Sequence, residues 1–433
     1  MKRFAIATLG CKVNHYDSAV IQDRLDALGL ERRDFDEVAD VYVINTCTVT
    51  DRADAESLKL ARRARRLNPG ARVLMTGCLA QANPALLSSS EQVDHVIGLA
   101  RLDDLERAAL GDGGERVMVS NLRKQKAEIE LAPAPLDGQT RAFLKLQEGC
   151  DQFCSFCIIP VSRGSSRSVP PRRVMEALDQ LHHRGFKEVI LTGVHLGGYG
   201  KDLTPPATLE SLLEMIEERC PIERVRLSSI DPEELSDRII EMVAQSRKFC
   251  PHFHLPLQSG DDQILSAMRR RYQSVFYQRR VSRILERIPD AAIGTDLIVG
   301  FPGESGQIFE RCFKFVEKLP LTYFHVFPYA VRSGTTAAKL AGRVNPGEIT
   351  RRARMMRQLG ERKRLDFVQR FSGARLKVLL EESASADSLK GYSRNYIRVL
   401  VKAPERLKNH EVDVEALATD GAALVAKLVW PTA

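Results

Sequence analysis

No stretch of the 433 residues is apolar for long enough to cross a bilayer, and no charged-apolar-small leader opens the chain; the first apolar run, 4–9, stops at Gly10-Cys11-Lys12. A cytoplasmic location without membrane contact is expected. Densely paired cysteine is also missing. The nine cysteines are odd in number and mostly stand singly at the ends of apolar runs, which argues against the disulfide scaffold of a small secreted domain. No long repeat or low-complexity tract is present. Nor does one charge dominate: 64 Lys and Arg against 56 Asp and Glu give +8, which favours a polyanionic partner but also fits an ordinary basic enzyme.

What is present is strand-helix alternation in a chain long enough for two to four domains. Over 1–115, strands at 4–9, 41–45 and 73–77 alternate with helical stretches at 18–28 and 53–67, the pattern of a small open parallel sheet. Each strand runs into a cysteine: Cys11, Cys47 and Cys78. The carboxyl ends of parallel strands share one edge, so these three thiols can converge on one site. Residues 116–139, with Ala132-Pro133-Ala134-Pro135, read as a linker. Six strand-helix units over 140–368, with strands at 143–147, 188–193, 225–230, 252–258, 293–301 and 323–329, predict a partial (β/α)6 barrel with function at the strand carboxyl ends. Short strands at 376–380, 396–401, 411–414 and 423–429 predict a small all-β barrel over 369–433. The fold class is α/β with that β domain appended.

Cys150, Cys154 and Cys157 stand in C-x3-C-x2-C just after the first barrel strand, with Phe153 and Phe156 interleaved as candidate shields. A structural zinc needs four closed ligands and is usually announced by paired C-x2-C units; here no fourth ligand is evident. Three thiolates on a cubane cluster leave one iron open for a chelating small molecule, and this reading outweighs zinc or inert thiols. Cys220, Cys250 and Cys312 read as buried small hydrophobes. Two basic clusters are each as compatible with a solvated helix face as with nucleic acid. One holds Arg269, Arg270, Arg271, Arg279, Arg280, Arg283 and Arg287; the other holds Arg351, Arg352, Arg354, Arg357, Arg362, Lys363 and Arg364, opposed only by Glu361.

The Cys150 to Cys157 motif resembles the signature of the radical S-adenosylmethionine superfamily. Leu9-Gly10-Cys11-Lys12-Val13-Asn14, Asn45-Thr46-Cys47-Thr48-Val49-Thr50, Thr76-Gly77-Cys78, Arg163-Gly164, His254-Leu255-Pro256-Leu257-Gln258-Ser259-Gly260 and Gly294-Thr295-Asp296 resemble its methylthiotransferases. Lys12-Val13-Asn14, Val49-Thr50 and Phe324-His325-Val326-Phe327-Pro328-Tyr329 are most similar to the branch acting on N6-threonylcarbamoyladenosine in tRNA. The resemblance covers the whole chain, with a TRAM-type barrel at the carboxyl end. It implies a 4Fe-4S cluster on Cys150, Cys154 and Cys157 that binds S-adenosylmethionine, and an auxiliary 4Fe-4S cluster on Cys11, Cys47 and Cys78. It also implies two uses of S-adenosylmethionine: one methylates a sulfur associated with the auxiliary cluster, and the other generates a radical that takes hydrogen from adenine C2. A flavodoxin or ferredoxin would supply electrons. Gly193, Ser228, Ser229, Gly294, Asp296 and Gly300 are candidates for the S-adenosylmethionine pocket, although Thr192-Gly193-Val194-His195 departs from the family's Gly-Gly-Glu pattern. Arg362, Lys363, Arg364 and Lys377 are candidates for tRNA contact. A methylthiotransferase for another tRNA adenosine or a ribosomal protein, and a non-catalytic RNA-binding protein with structural metal, remain the alternatives.

Overall fold

The computed structural model describes residues 2–123, 129–131, 140–385 and 387–429. Its first unit is an all-parallel sheet of β1 (Arg3–Thr8), β2 (Glu31–Arg32), β3 (Val41–Thr46), β4 (Arg72–Gly77), β5 (His95–Ile97) and β6 (Val117–Met118), in the order β2-β1-β3-β4-β5-β6. Helices α1 (Lys12–Ala27), α2 (Asp51–Leu67), α3 (Cys78–Ala82), α4 (Pro84–Ser88) and α5 (Leu102–Leu110) connect the strands. Strand β3, Val-Tyr-Val-Ile-Asn-Thr, is buried throughout, which suits its β-branched and aromatic residues to the sheet centre. Thr50 caps α2 by accepting from Ala53 N–H, with Asp51 and Asp54 in the first turn and Arg65 and Arg66 in the last, each complementing the helix dipole. Strand β6 lies inside the expected linker because two apolar residues suffice to extend an existing sheet edge. The linker's 124–128 and 132–139 fall outside the described residues.

The second unit runs β7 (Arg141–Glu148), α6 (Ile159–Ser162), β8 (Arg167–Ser168), α7 (Pro171–His183), β9 (Glu188–Gly193), α8 (Leu209–Arg219) and β10 (Arg224–Leu227). It continues through α9 (Asp237–Gln245), β11 (His252–His254), α10 (Asp262–Ala267), α11 (Ser274–Arg287), β12 (Ala292–Val299), α12 (Gly306–Lys318), β13 (Tyr323–Pro328) and α13 (Pro346–Gln369). The strands form sheets β10-β9-β7-β8 and β11-β12-β13. The parallel bridge between Ser229 and His254, with Ile230 N–H donating to His254 O at 3.0 Å, joins them into six parallel strands curved as an open barrel. The antiparallel β8 is an addition that the alternation did not predict.

The third unit is a closed barrel of β14 (Arg375–Ser385), β15 (Ser388–Ser393), β16 (Arg398–Lys402), β17 (Glu411–Asp420) and β18 (Ala423–Leu428), ordered β14-β15-β16-β18-β17. Its interior holds Val378, Leu380, Leu389, Val399, Val401, Val414, Leu424 and Ala426. Strand β15, Ser-Leu-Lys-Gly-Tyr-Ser, escaped the sequence reading because its inward set includes a glycine. A Cβ on Gly391 would lie 2.0 Å from Leu379 O.

This small barrel docks at the amino-terminal ends of the large barrel's strands. Arg224, at the start of β10, donates to Glu188 at 2.8 Å and to Glu411 at 2.5 Å; Arg226 donates to Glu188 at 2.9 and 3.1 Å and to Arg394 O at 3.0 Å. Arg141, at the start of β7, pairs with Glu381 at 2.6 Å and lies over the Tyr392 ring. Burial opposes ionisation of Glu188, but Arg226 and Arg224 overcome it and hold the carboxyl well below the ordinary 4.5. A depressed carboxylate stabilises the fold above its unfolded value and loses that contribution as pH falls. Thermal melts should therefore drop on acidification below pH about 4.5, and Glu188→Gln should make the dependence shallower; identical pH slopes would remove Glu188 from the cause.

Candidate cofactor and substrate site

Cys11, Cys47 and Cys78 follow β1, β3 and β4, and the structure brings them to one sheet edge. A Cβ on Gly10 would lie 2.8 Å from both Cβ and Sγ of Cys47. The glycines preceding three of the candidate cysteines, Gly10, Gly77 and Gly149, have φ of 102°, 93° and 72°. Left-handed backbone lets each chain turn from its strand directly into a thiol. Polar residues of the same motifs bind the three loops together. Asn14 Nδ2 donates to Leu9 O at 2.7 Å and Thr46 O at 2.9 Å, and Asn45 Nδ2 donates to Asn14 O at 2.8 Å. Thr46 Oγ1 donates to Thr76 O at 2.6 Å and accepts from Leu79 N–H at 3.1 Å. Sequence reading recorded these residues as motif members without a role; their spacing from the cysteines was the available signal.

The second triad lies in the loop after β7. Cys150 N–H donates to Gly164 O at 3.1 Å, Ser155 N–H to Met268 O at 3.0 Å, and Ala337 N–H to Ser155 O at 2.7 Å, fixing the loop at both ends. Phe156 packs into an apolar cluster with Ile264, Met268 and Phe301, whereas Phe153, expected as its fellow shield, is exposed beneath the Arg123 guanidinium. Arg270 is buried with Nη1 3.5 Å from Cys154 Sγ and Nη2 2.5 Å from Asp231. Burial pushes the Cys150, Cys157 and Cys78 thiols up to about 12, so a metal bound there would supply the energy that deprotonates them.

Among the described residues, the sets of three candidate ligand atoms within 4.8 Å of one another are His254-Asp296-His325 and His195-Asp231-Glu234. Neither cysteine triad is drawn that close, whereas Zn–S bonds of 2.3 Å would bring tetrahedral sulfurs to roughly 3.8 Å.

Arg163, one of the largest fully buried side chains, links the triads. It follows the second triad in sequence, yet its Nε donates to Cys78 Sγ of the first at 3.2 Å. Its other nitrogens donate to Glu148 at 2.5 Å, Asp17 at 2.8 Å and Asn14. Lys145 completes the network, 2.6 Å from Asp17 and 2.7 Å from Glu148. Two cations and two carboxylates thus lock α1 of the first unit onto β7 of the second.

The remaining candidates are spread along the barrel. Gly193 ends β9 beside Gln147, and a Cβ there would lie 3.1 Å from the Gln147 side chain. The buried Ser228 Oγ at the β10 end has no partner among the described residues, and Ser229 Oγ lies 2.8 Å from His254 Nδ1. Asp296 is 3.3 Å from His254 and 3.1 Å from His325; burial opposes its ionisation, but both imidazoles hold the carboxyl well below the usual range. Gly294 makes room for the Tyr323 ring, and Gly300 turns the chain against Ile349. Glu234, which sequence reading passed over, lies beside Gly197 and 2.8 Å from His195, at the strand end that lacks a glutamate in sequence.

Of the basic candidates, Lys363 donates to Glu317 O at 2.7 Å and Leu319 O at 2.6 Å, capping α12. Arg362 lies 3.6 Å from Glu317 and Lys377 3.7 Å from Asp413; Arg364 is exposed. In the other cluster, Arg280, Arg283 and Arg287 pair with Asp237 and Glu241.

An open six-stranded barrel with three cysteines after its first strand defines a radical S-adenosylmethionine enzyme. The profile of the radical SAM superfamily matches residues 144–316, and that of "Uncharacterized protein family UPF0004" matches 3–98. A radical S-adenosylmethionine methyltransferase from Kitasatospora setae, solved with cobalamin and a [4Fe-4S] cluster, shares the fold with a TM-score of 0.57 at 15% identity, over 78% of this chain and 76% of that one. Full-length relatives narrow the class. The threonylcarbamoyladenosine tRNA methylthiotransferase of Bacillus subtilis is 37% identical over 96% of this chain and 94% of its own length. That of Aquifex aeolicus is 37% identical over 88% and 93%, and the tRNA-2-methylthio-N(6)-dimethylallyladenosine synthase of Staphylococcus aureus is 32% identical over 95% and 82%. The chain belongs to the radical S-adenosylmethionine methylthiotransferase family. Membership implies a 4Fe-4S cluster and S-adenosylmethionine, and among the described residues no helix is long and apolar enough to cross a membrane.

Proposed function

We propose that this protein converts N6-threonylcarbamoyladenosine next to the tRNA anticodon into its 2-methylthio derivative. In this reading Cys150, Cys154 and Cys157 hold the 4Fe-4S cluster that binds S-adenosylmethionine, and Cys11, Cys47 and Cys78 hold a second 4Fe-4S cluster. The observation that carries it is the pairing of two three-thiol edges through Arg163, which bonds Cys78 while belonging to the loop after Cys157. The 37% identity to the threonylcarbamoyladenosine enzymes of Bacillus subtilis and Aquifex aeolicus, against 32% to the dimethylallyladenosine synthase of Staphylococcus aureus, supports the substrate.

When bound, the first cluster and S-adenosylmethionine would supply radical removal of hydrogen from adenine C2, where the C–H bond is too weakly acidic for a side-chain base. A flavodoxin or ferredoxin serves as electron donor. The chain's residues bind, orient and exclude water. Gly193, Ser228, Ser229 and Asp296 border the cofactor pocket, with Glu234 and Asp231 supplying carboxylates for its amino group. Arg270 sets a positive charge beside Cys154, and Phe156 with its apolar neighbours keeps water from the loop.

Helix α13 and the small barrel grip the tRNA backbone. Arg364→Gln should weaken tRNA binding and lower the salt slope by about 1, whereas Lys363→Gln should lower the melting temperature and leave that slope unchanged. Filter binding across salt concentrations, with a thermal melt of each variant, checks both; equal slope changes would erase the distinction. Mass spectrometry of tRNA nucleosides from a deletion strain tests the function. Loss of 2-methylthio-N6-threonylcarbamoyladenosine with its unmethylthiolated parent retained is expected, and an unchanged nucleoside profile overturns the proposal.

A further inference from the structure

The methylthiotransferase relatives act on adenosines whose N6 substituents differ in one chemical respect: threonylcarbamoyl ends in a carboxylate, whereas dimethylallyl is an uncharged hydrocarbon. Helix α1 packs against β7 and β9, and its first residue, Lys12, lies within electrostatic range of charged residues on β7, β9, β10 and β12 of the barrel. The Lys12 side chain is half-buried, so it keeps access to the space it faces.

The charges within range of Lys12 are Arg226, Arg141, Glu188 and Asp296. Both carboxylates are already engaged: Glu188 by Arg224 and Arg226, and Asp296 by His254 and His325. Arg226 and Arg141 are likewise paired, with Glu188 and Glu381. Lys12 makes no hydrogen bond or ion pair with any described residue. A further buried polar atom within range of Lys12 lacks a partner among the described residues: His252 Nδ1, whose ring lies near Tyr323 and Tyr396. A half-buried ammonium without a protein partner, close to an unsatisfied imidazole nitrogen, is a ready counterpart for a polar, anionic ligand.

We propose that Lys12 is the specificity-determining residue that binds the carboxylate of the threonylcarbamoyl group. This rests on the proposed substrate. The group carries a carboxylate for the ammonium, and a hydroxyl and a carbonyl for neighbouring polar atoms. A dimethylallyl chain would leave all of them unpaired in an enclosed site, the arrangement that discriminates most strongly against an analogue lacking polar groups. The position of Lys12 directly after Cys11 places the carboxylate subsite and one of the auxiliary thiols on the same turn of chain, so a base held by its N6 substituent lies next to the sulfur-inserting edge.

The test uses the reconstituted full-length protein and three anticodon stem-loops, bearing N6-threonylcarbamoyladenosine, its carboxamide analogue, or unmodified adenosine. The expected result is binding of the carboxylate form roughly 10- to 100-fold tighter than the carboxamide. Lys12→Gln should bind both alike at the carboxamide level, and Lys12→Arg should restore part of the preference. Iron content and the spectrum of the reduced protein monitor the neighbouring Cys11 site. Equal affinity of the unaltered protein for carboxylate and carboxamide overturns the proposal whatever the variants do, as does an undiminished preference in Lys12→Gln. Failure of the underlying substrate reading looks different: the threonylcarbamoyl stem-loop would bind no better than unmodified adenosine.

Discussion

Cys154→Ala should abolish reductive cleavage of S-adenosylmethionine, whereas Cys47→Ala should leave cleavage in place and abolish methylthiolation. The two cysteines lie on different structural edges. Cys154 sits in the loop after β7, held between Arg270 and the end of α10, while Cys47 ends β3 of the first unit and packs on Gly10. Neither loop needs the other's sulfur to keep its backbone path, because Ser155 anchors one and Asn14, Asn45 and Thr46 anchor the other. Anaerobic reconstitution should give about eight irons per chain in the unaltered protein and about four in a variant that loses one cluster. Measuring 5′-deoxyadenosine and the modified nucleoside in the same reaction separates the outcomes; loss of cleavage in both variants would undo the division of labour.

Arg163→Met should be the most damaging substitution outside the cysteines. Methionine matches much of the volume but leaves Glu148 and Asp17 facing Lys145 alone, two buried carboxylates against one cation. Removing one partner from a buried ionic network typically costs about 3–5 kcal/mol. Because the network ties α1 to β7, the loss should appear as separate melting of the first unit from the barrel, and the Cys78 sulfur should lose its donor. Arg163→Lys keeps the charge without the fork that reaches Cys78, Asn14, Asp17 and Glu148 together, so it should recover only part of the stability. A single unshifted melting transition in Arg163→Met would show that the network contributes little.

The strand-helix rhythm and both cysteine sets were legible because they depend on local patterns: a run of β-branched and aromatic residues such as Val41 to Ile44, a helical period, or a thiol at a strand end. Boundaries were less so. Helix α1 begins at Lys12, well before the apolar period that marked it, because its first turn is polar residues that bind other loops. What sequence could not deliver were pairings between distant segments. Arg163 with Cys78, Glu234 with the end of β9, and Tyr396 beneath the barrel all depend on how three units assemble. The basic helix α13 illustrates the same limit: its composition promised phosphate contacts, yet Arg352 is buried against Glu304 and Lys363 caps a neighbouring helix. Charge counts do not reveal which face a side chain takes.

The most direct measurement incubates the reconstituted chain with S-adenosylmethionine, a one-electron reductant and an anticodon stem-loop carrying N6-threonylcarbamoyladenosine, then analyses the nucleosides and 5′-deoxyadenosine by mass spectrometry. The 2-methylthio derivative of the threonylcarbamoyl nucleoside should form together with 5′-deoxyadenosine. Release of 5′-deoxyadenosine with the nucleoside unchanged, or methylthiolation of an isopentenyladenosine stem-loop in its place, would contradict the account.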